Sequence, residues 1–571
     1  MDKEKKERKV FLGELLVNKN IITKEQLAEA LELQKKTGGL LAQIIVEKRW
    51  ADEDKVYRAL AERLNVPFQS LSNIQIPLEV ITAVPGDLAR SYILVPIKKE
   101  KDALTVAMIE PQNTFIIDRL RAVTSLKINT VLSARSEILI TIEKHYGKEA
   151  IIENTISVAE EEKAEDLPDQ EDTENVKILA EQAPIIKLVD AVMLDALRSR
   201  ASDIHIEPTR AGFIIRFRID GVLHDITSPP RNLYKPVVSR VKIMASMDIA
   251  EKRLPQDGSF RVKLEDKNID VRVSTYPTIY GETTVMRLLA KEQAFFDLPE
   301  LGFEPDELSQ FEGLCRKSCG IILVVGPTGC GKTTTLYSVL GKIVSREKNI
   351  VTVEDPVEYN IEGISQSQVN TKAGFTFPSS LRSIMRQDPD IILVGEIRDL
   401  ETAELAIRAA LTGHLVFSTL HTNDAPGAVV RLIDMGIEPY LISASLIGAL
   451  AERLVRVICT KCKEETQPSA VALASFKDEL LRVRGDNHKF YKGRGCDACK
   501  NTGYQGRIGV FELLTISGDQ MRDAIGAGCK GSELNKLAIK EGMRTLKENG
   551  LRKVFAGITT LEEVLGKTEL V

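Results

Sequence analysis

The 571-residue sequence predicts a multidomain protein built from α/β and α+β domains. Three observations carry that expectation. The chain is too long for one hydrophobic core. An apolar run at 321–325 leads into a glycine-rich turn and then a helix with Leu336, Val339, Leu340 and Ile343 on one face, the pattern of a buried strand feeding a helix. A stretch at 160–174, dense in Asp and Glu and nearly free of large apolar residues, cannot bury enough surface to offset ordering entropy and separates an N-terminal part from the rest.

The N-terminal part opens on a repeat. Residues 13–31 align without a gap on residues 42–60, each copy reading as a short helix, a turn and a second helix. Thr23 and Gln26 form a capping box for the second helix of the first copy, and Leu27, Ala30 and Leu31 match Val56, Ala59 and Leu60 as apolar faces. Residues 66–146 look α/β, with strands expected at 92–95 and 103–108. The N-terminal domain is bounded at 1–150 and the acidic linker at 151–177.

Order resumes at Pro184, well placed at a helix start, with Ile185, Leu188, Val189, Val192 and Ala196 following at helical spacing. Short alternating strands at 214–219, 222–226, 270–274 and 283–288 make 178–300 an α+β domain. The P-loop domain covers 301–455, a cysteine module 456–515 and a helical region 516–571, where Gly557 stops a helix and Thr559 with Glu562 caps the next.

Lys and Arg number 77 against 82 Asp and Glu, a net charge of −5, so no basic field advertises nucleic acid. No apolar run reaches the ~18 residues of a membrane span, and the charged N-terminus lacks the apolar core of a signal peptide. A cytoplasmic protein is expected, with membrane attachment through a partner.

Gly326, Pro327, Thr328, Gly329, Cys330, Gly331, Lys332 and Thr333 fit G-x-x-x-x-G-K-[ST] in full. Backbone N–H groups of such a loop and the helix N-terminus hold phosphate oxygens, Lys332 neutralises the β- and γ-phosphates, and the Thr333 hydroxyl ligates Mg²⁺. Thr334 completes the nucleotide-binding run. An apolar strand at 391–394 ends in Glu396, where an acid holds Mg²⁺ or its water; Glu354, after a strand at 350–353, is a second acid placed to orient an attacking water.

Cys459 and Cys462, then Cys496 and Cys499, form two C-x-x-C pairs. Four thiolates in a reducing compartment favour a tetrahedral structural Zn²⁺. The alternative is a redox dithiol, which needs no second pair. Cys330, beside Lys332 and at a helix N-terminus, is expected to have a thiol pKa below the usual value of about 8.5 and to be alkylated unless Mg-ATP protects it; the other reading is an inert thiol whose backbone alone matters.

With these residues in place the chain resembles the secretion ATPase superfamily, the assembly ATPases of type II secretion systems and type IV pili, over about 178–571 and more loosely before that. Four boxes appear in that family's order: Walker A at 326–333, an aspartate box at 353–359, Walker B at 386–399 and a histidine box at 412–424. The resemblance implies a RecA-like core and a homohexameric motor. It makes Glu354 the catalytic acid and Glu396 the Mg²⁺-side acid. It has His414 and His421 contact the γ-phosphate and Arg382 and Arg386 close the site. Motifs at 202–208, 253–258 and 271–277 mark the family's second N-terminal domain, from which Arg272 and Arg287 would reach the phosphates.

The four-cysteine insert also matches. Retraction ATPases lack it and lack the long N-terminal region, so assembly is implied, with residues 354–359 and 443–454 closer to type II secretion than to pilus extension. Partners would be the cytoplasmic domains of inner-membrane platform proteins. The N-terminal repeat resembles a domain that binds cyclic di-GMP in some members, but those open each copy on Arg-Leu-Gly. Here the copies open on Phe11-Leu12-Gly13 and Leu40-Leu41-Ala42, so a docking role is expected in place of nucleotide binding. A nucleic-acid translocase shares this type of core, and a regulatory module without turnover shares the P-loop. The acidic balance argues against the first, and Lys332, Glu354 and Glu396 together argue against the second.

Overall fold

A computed structural model describes residues 12–37, 40–72, 74, 76–81, 83–146, 180–264, 267–290, 297–483 and 489–569. The acidic linker lies outside them. The chain divides into two compact units, Met1–Leu289 and Ala290–Val571.

In the first unit the repeat is two helical pairs, Leu12–Asn18 with Lys24–Thr37 and Leu41–Glu47 with Glu53–Leu64, at the register of the aligned sequences. The Thr23–Gln26 capping box forms in both directions, at 2.9 and 3.2 Å. Ala30, Val56 and Ala59 are buried, whereas Leu31 is 41% exposed, since it faces a cleft of about 830 Å³ between the repeat and residues 109–113. A three-stranded sheet follows: β1 (Leu94–Glu100), β2 (Ala103–Met108) and β3 (Lys127–Leu132), in that order. Tyr92 closes a helix instead of opening β1.

Helix Ala183–Arg198 buries every apolar position expected of it, with Pro184 in its first turn. Behind it lies a six-stranded sheet of β4 (Ala201–Pro208), β5 (Phe213–Ile219), β6 (Val222–Thr227), β7 (Gln256–Leu264), β8 (Lys267–Thr278) and β9 (Gly281–Ala290), ordered β6-β5-β4-β9-β8-β7. Along β5, Phe213, Ile215 and Phe217 are buried in the core while Arg216 and Arg218 alternate onto the other face. This period of two covers one face with helices and leaves the other charged.

The second unit is a seven-stranded sheet ordered β12-β11-β13-β14-β10-β15-β18. Its strands are β10 (Gly320–Val325), β11 (Ile350–Glu354), β12 (Ser365–Gln368), β13 (Ile391–Val394), β14 (Leu415–Leu420), β15 (Leu446–Ile458) and β18 (Tyr504–Thr515). Pairing is parallel from β12 through β15, and β18 returns antiparallel along β15. β10, β13 and β14 are buried throughout, as continuous apolar runs must be when helices cover both faces. The cysteine module is an insertion between β15 and β18, carrying the hairpin β16 (Lys463–Thr466) and β17 (Phe490–Gly493). β18, grouped from sequence with the cysteine module, is thus an edge of the P-loop sheet. In the helical tail the cap falls one residue later than expected: Thr560 accepts from Glu563 N–H, because the Thr559 hydroxyl is donated to the Arg456 carbonyl.

Candidate active site

Parallel strands deliver their following loops to one edge, and ligands of open α/β sheets bind there. Four of the expected boxes end at that edge: the phosphate loop after β10, Glu354 ending β11, Glu396 after β13 and His421 after β14. In-register pairing of Val325 with Leu420 and of Val353 with Val394 brings them side by side.

The loop from Gly326 to Gly331 enters helix Lys332–Ile343. Gly326 and Gly331 sit at positive φ, 151° and 112°. A Cβ on Gly326 would lie 2.6 Å from Cys330 Sγ, and one on Gly331 would lie 2.1 Å from Glu452 Oε1, so neither position admits a side chain. Lys332 Nζ donates to the carbonyls of Gly326 (2.8 Å) and Pro327 (3.0 Å). Burial draws the Lys332 ammonium below the usual lysine range, against the opposing pull of Cys330, Glu452 and Glu396.

Glu354 is buried. Its Oε1 accepts from Thr352 Oγ1 (2.6 Å) and Gln366 Nε2 (3.2 Å), and the Tyr337 hydroxyl donates to Oε2. Burial and this carboxylate push the Tyr337 phenol up, which keeps it a donor. Glu396 pairs with Arg398 and has His421 Nε2 3.5 Å from its Oε2. A threonine hydroxyl and a carboxylate at one sheet edge are the hard oxygen donors that Mg²⁺ takes. Thr333 and Glu396 therefore fit that ion, which supplies charge neutralisation at the phosphates when bound.

The structure separates the two histidines. His421 lies at the phosphate edge. His414 precedes β14 at the opposite edge, roughly 20 Å away along the strand, where its Nδ1 lies 2.8 Å from the Ala409 carbonyl. The expected γ-phosphate contact from His414 is not available within its own P-loop domain, because the histidine box spans the full length of β14. Arg382 pairs with Glu401, and Arg386, just past the helix that carries Arg382, donates to the Arg382 carbonyl at 2.7 Å, so both are engaged.

On the charged face of the first unit, Arg272 and Arg287 line one depression with Asp257, Ser259 and Ser274. Arg287 Nε donates to Asp203 at 2.9 Å, and Arg218 approaches the same carboxylate at 3.7 Å. Two guanidiniums share one acid there, and Arg287 stays 61% exposed.

The reactive-thiol expectation for Cys330 is reversed. Its side chain is 4% exposed. Burial, helped by the Glu452 carboxyl, pushes the thiol up to about 11, outweighing Lys332 and the helix terminus. Brief alkylation near neutral pH should therefore label exposed Cys319 and leave Cys330 unmodified with or without Mg-ATP. Peptide mapping checks this; Cys330 labelling at a rate comparable to Cys319 would contradict it.

Cys459, Cys462, Cys496 and Cys499 converge with all four Sγ atoms within 4.8 Å of one another. Sγ–Sγ separations of 3.9, 3.8 and 3.7 Å match the ~3.8 Å expected for a tetrahedron of ~2.3 Å Zn–S bonds. Against its burial, N–H groups of Cys496 and Gly503 hold the Cys499 thiol below its ordinary range.

Sequence reasoning missed Tyr337, Thr352 and Gln366, which hold Glu354, and Glu452 beneath the phosphate loop. Thr352, two residues before Glu354 on the same strand, had a local signal, since alternate residues share a strand face.

The family model described as "Type II/IV secretion system protein" matches residues 179–566, and the MshEN domain model matches 64–151. The chain is 42% identical to the type IV pilus assembly ATPase PilB of Myxococcus xanthus over 98% of both chains. It is 41% identical to type II secretion system protein E of Xanthomonas campestris pv. campestris over 99% of this chain and 100% of that one. The solved ATPase DotB of Yersinia pseudotuberculosis shares the fold, with 22% identity, TM-score 0.50 and coverage of 66% of this chain and 92% of that one.

Proposed function

The chain belongs to the type II/IV secretion system protein family, and we propose that it hydrolyses Mg-ATP as a cytoplasmic homohexameric motor for assembly of a pseudopilus in type II secretion. The observation that carries this reading is the convergence of the phosphate loop, Glu354 and Glu396 on one edge of a parallel sheet. Thr333 and Glu396 would hold Mg²⁺, Lys332 would meet the phosphates, and Glu354, whose Oε2 keeps an acceptor position beside the Tyr337 bond, would take the proton of the attacking water. Pilus extension is the second reading, favoured by full-length similarity to PilB. Among the described residues no helix is long and apolar enough to cross a membrane; the proposed partners are the cytoplasmic domains of inner-membrane platform proteins.

The cleft beside the N-terminal repeat has Glu14, Arg63 and Glu110 as its charged lining. Among the described residues two acids stand against one base, a balance that does not favour a bis-phosphate and supports a docking role.

Arg272 and Arg287 act on the phosphates from outside the P-loop domain, so ATP turnover should rise with protein concentration as the ring assembles. Arg287→Ala should fold and bind Mg-ATP yet turn over about 10³-fold more slowly, as for other supplied arginines. Steady-state hydrolysis across a dilution series tests both statements. Full-rate turnover by a strictly monomeric form would defeat the assembly requirement, and near-parental turnover by Arg287→Ala would defeat the arginine's role.

A further inference from the structure

Directly beneath the phosphate loop lies a carboxyl that the P-loop reading does not use. Glu452, on β15, is 3% exposed. Its Oε2 accepts from the Thr335 hydroxyl at 2.8 Å, one helical turn beyond Lys332. Its Oε1 occupies the space that a side chain on Gly331 would need. The surrounding groups are few. Cys330, Lys332 and Thr335 act on it from the loop and helix, while β10 contributes apolar Val325 opposite Ala451. Its neighbour Arg453 is turned to the carbonyls of Glu452 itself (3.0 Å) and Asn423 (2.8 Å). On β18, Glu512 pairs in register with Ala451, which puts it on the opposite face, where the N–H groups of Ala425 and Leu546 hold it at 2.8 and 3.1 Å. Asp424 lies on that side as well, as a charge felt by Arg453 and Glu512.

Among the described residues Lys332 is thus the one cation acting on this carboxyl, and it is the cation the phosphates need. An ionised carboxylate below a loop that gathers phosphate oxygens would repel the ligand and hold back the ammonium. A neutral carboxyl keeps the Thr335 bond and does neither.

We propose that Glu452 is a positioning residue for ATP binding, whose carboxyl takes up a proton from solvent as the phosphate loop fills and so leaves Lys332 to the phosphates. The inference rests on residues 326–333 being the ATP site. Burial already pushes Glu452 up to about 8, with Thr335 and Lys332 pulling the other way. Below that pH the group is neutral and binding is indifferent to pH. Above it, binding must also protonate the carboxyl, so affinity falls about tenfold per pH unit. Cys330, at about 11, titrates above that window, and Glu512, at about 7, titrates at its lower edge on the opposite face and is unchanged in Glu452→Gln.

The test is calorimetry of the full chain with a non-hydrolysable Mg-ATP analogue at pH 8, in buffers of different ionisation heat. The parent should take up about half a proton per site and Glu452→Gln none. In parallel, the KM for Mg-ATP should rise about tenfold from pH 7 to 9 in the parent and stay flat in Glu452→Gln. Analogue binding without proton uptake by the parent, or an alkaline rise that persists in Glu452→Gln, overturns the proposal while leaving the ATP site standing. Failure of the parent to bind the analogue at all would remove the ATP site and the proposal with it. Should Glu452→Gln not fold, the parent's proton uptake and alkaline KM rise decide the question.

Discussion

Glu396→Ala is expected to lower ATP turnover about 10³-fold while Mg-ATP still binds. The carboxylate follows a fully buried strand by two residues and sits, mostly shielded, between Arg398 and His421. Ground-state affinity is left to the loop backbone and Lys332. What Glu396 supplies is negative charge on the Mg²⁺ side of the phosphates, where geometry matters most in the transition state. Lys332→Ala should differ in kind. It removes a phosphate counter-charge that serves both ground and transition states, so binding and turnover should fall together. Nucleotide titration alongside steady-state hydrolysis separates the two variants. Turnover by Glu396→Ala within a few-fold of the parent would end the assignment.

The parts of this site that were legible in the sequence are those whose chemistry is local. A phosphate loop carries its own glycines, lysine and threonine, and Thr23 finds Gln26 three residues away. Cysteine pairs reveal themselves because each knuckle is short. What failed to show is set by strand order. β15 lies beside β10 although more than 100 residues separate them in sequence, so Glu452 reaches the loop with no local sign of it. That long-range neighbour decides Cys330 as well: the nearby lysine and helix terminus argue for a thiolate, and burial against β15 argues harder against it. His414 and His421 look equivalent within one box. Only the knowledge that a six-residue strand lies between them places one at the phosphates and the other at the far edge. Tyr337 reads as one more apolar position on its helix, whereas its hydroxyl is what holds Glu354.

Purified without chelator, the protein is expected to carry one Zn²⁺ per chain, and Cys496→Ser to carry none. Three thiolates and a serine hydroxyl leave the tetrahedron one soft ligand short, and apparent zinc affinities of structural sites, about 10–16 kcal/mol, depend on the full set. The loss should stay local. Cys459 follows β15 directly and Cys499 precedes β18, so the cluster pins the two ends of the insert where these strands leave the sheet. The β15–β18 pairing runs in register from Gly448–Thr515 to Arg456–Arg507, and the four cysteines form a cluster of their own, separate from the apolar core of the sheet. Cys496→Ser should therefore free the β16–β17 hairpin to proteolysis and speed its amide exchange while nucleotide binding at the phosphate loop persists. Metal analysis with limited proteolysis reads both halves. A zinc-free parent would refute the metal site. Collapse of nucleotide binding in Cys496→Ser would mean the cluster supports the whole ATPase sheet and not the insert alone.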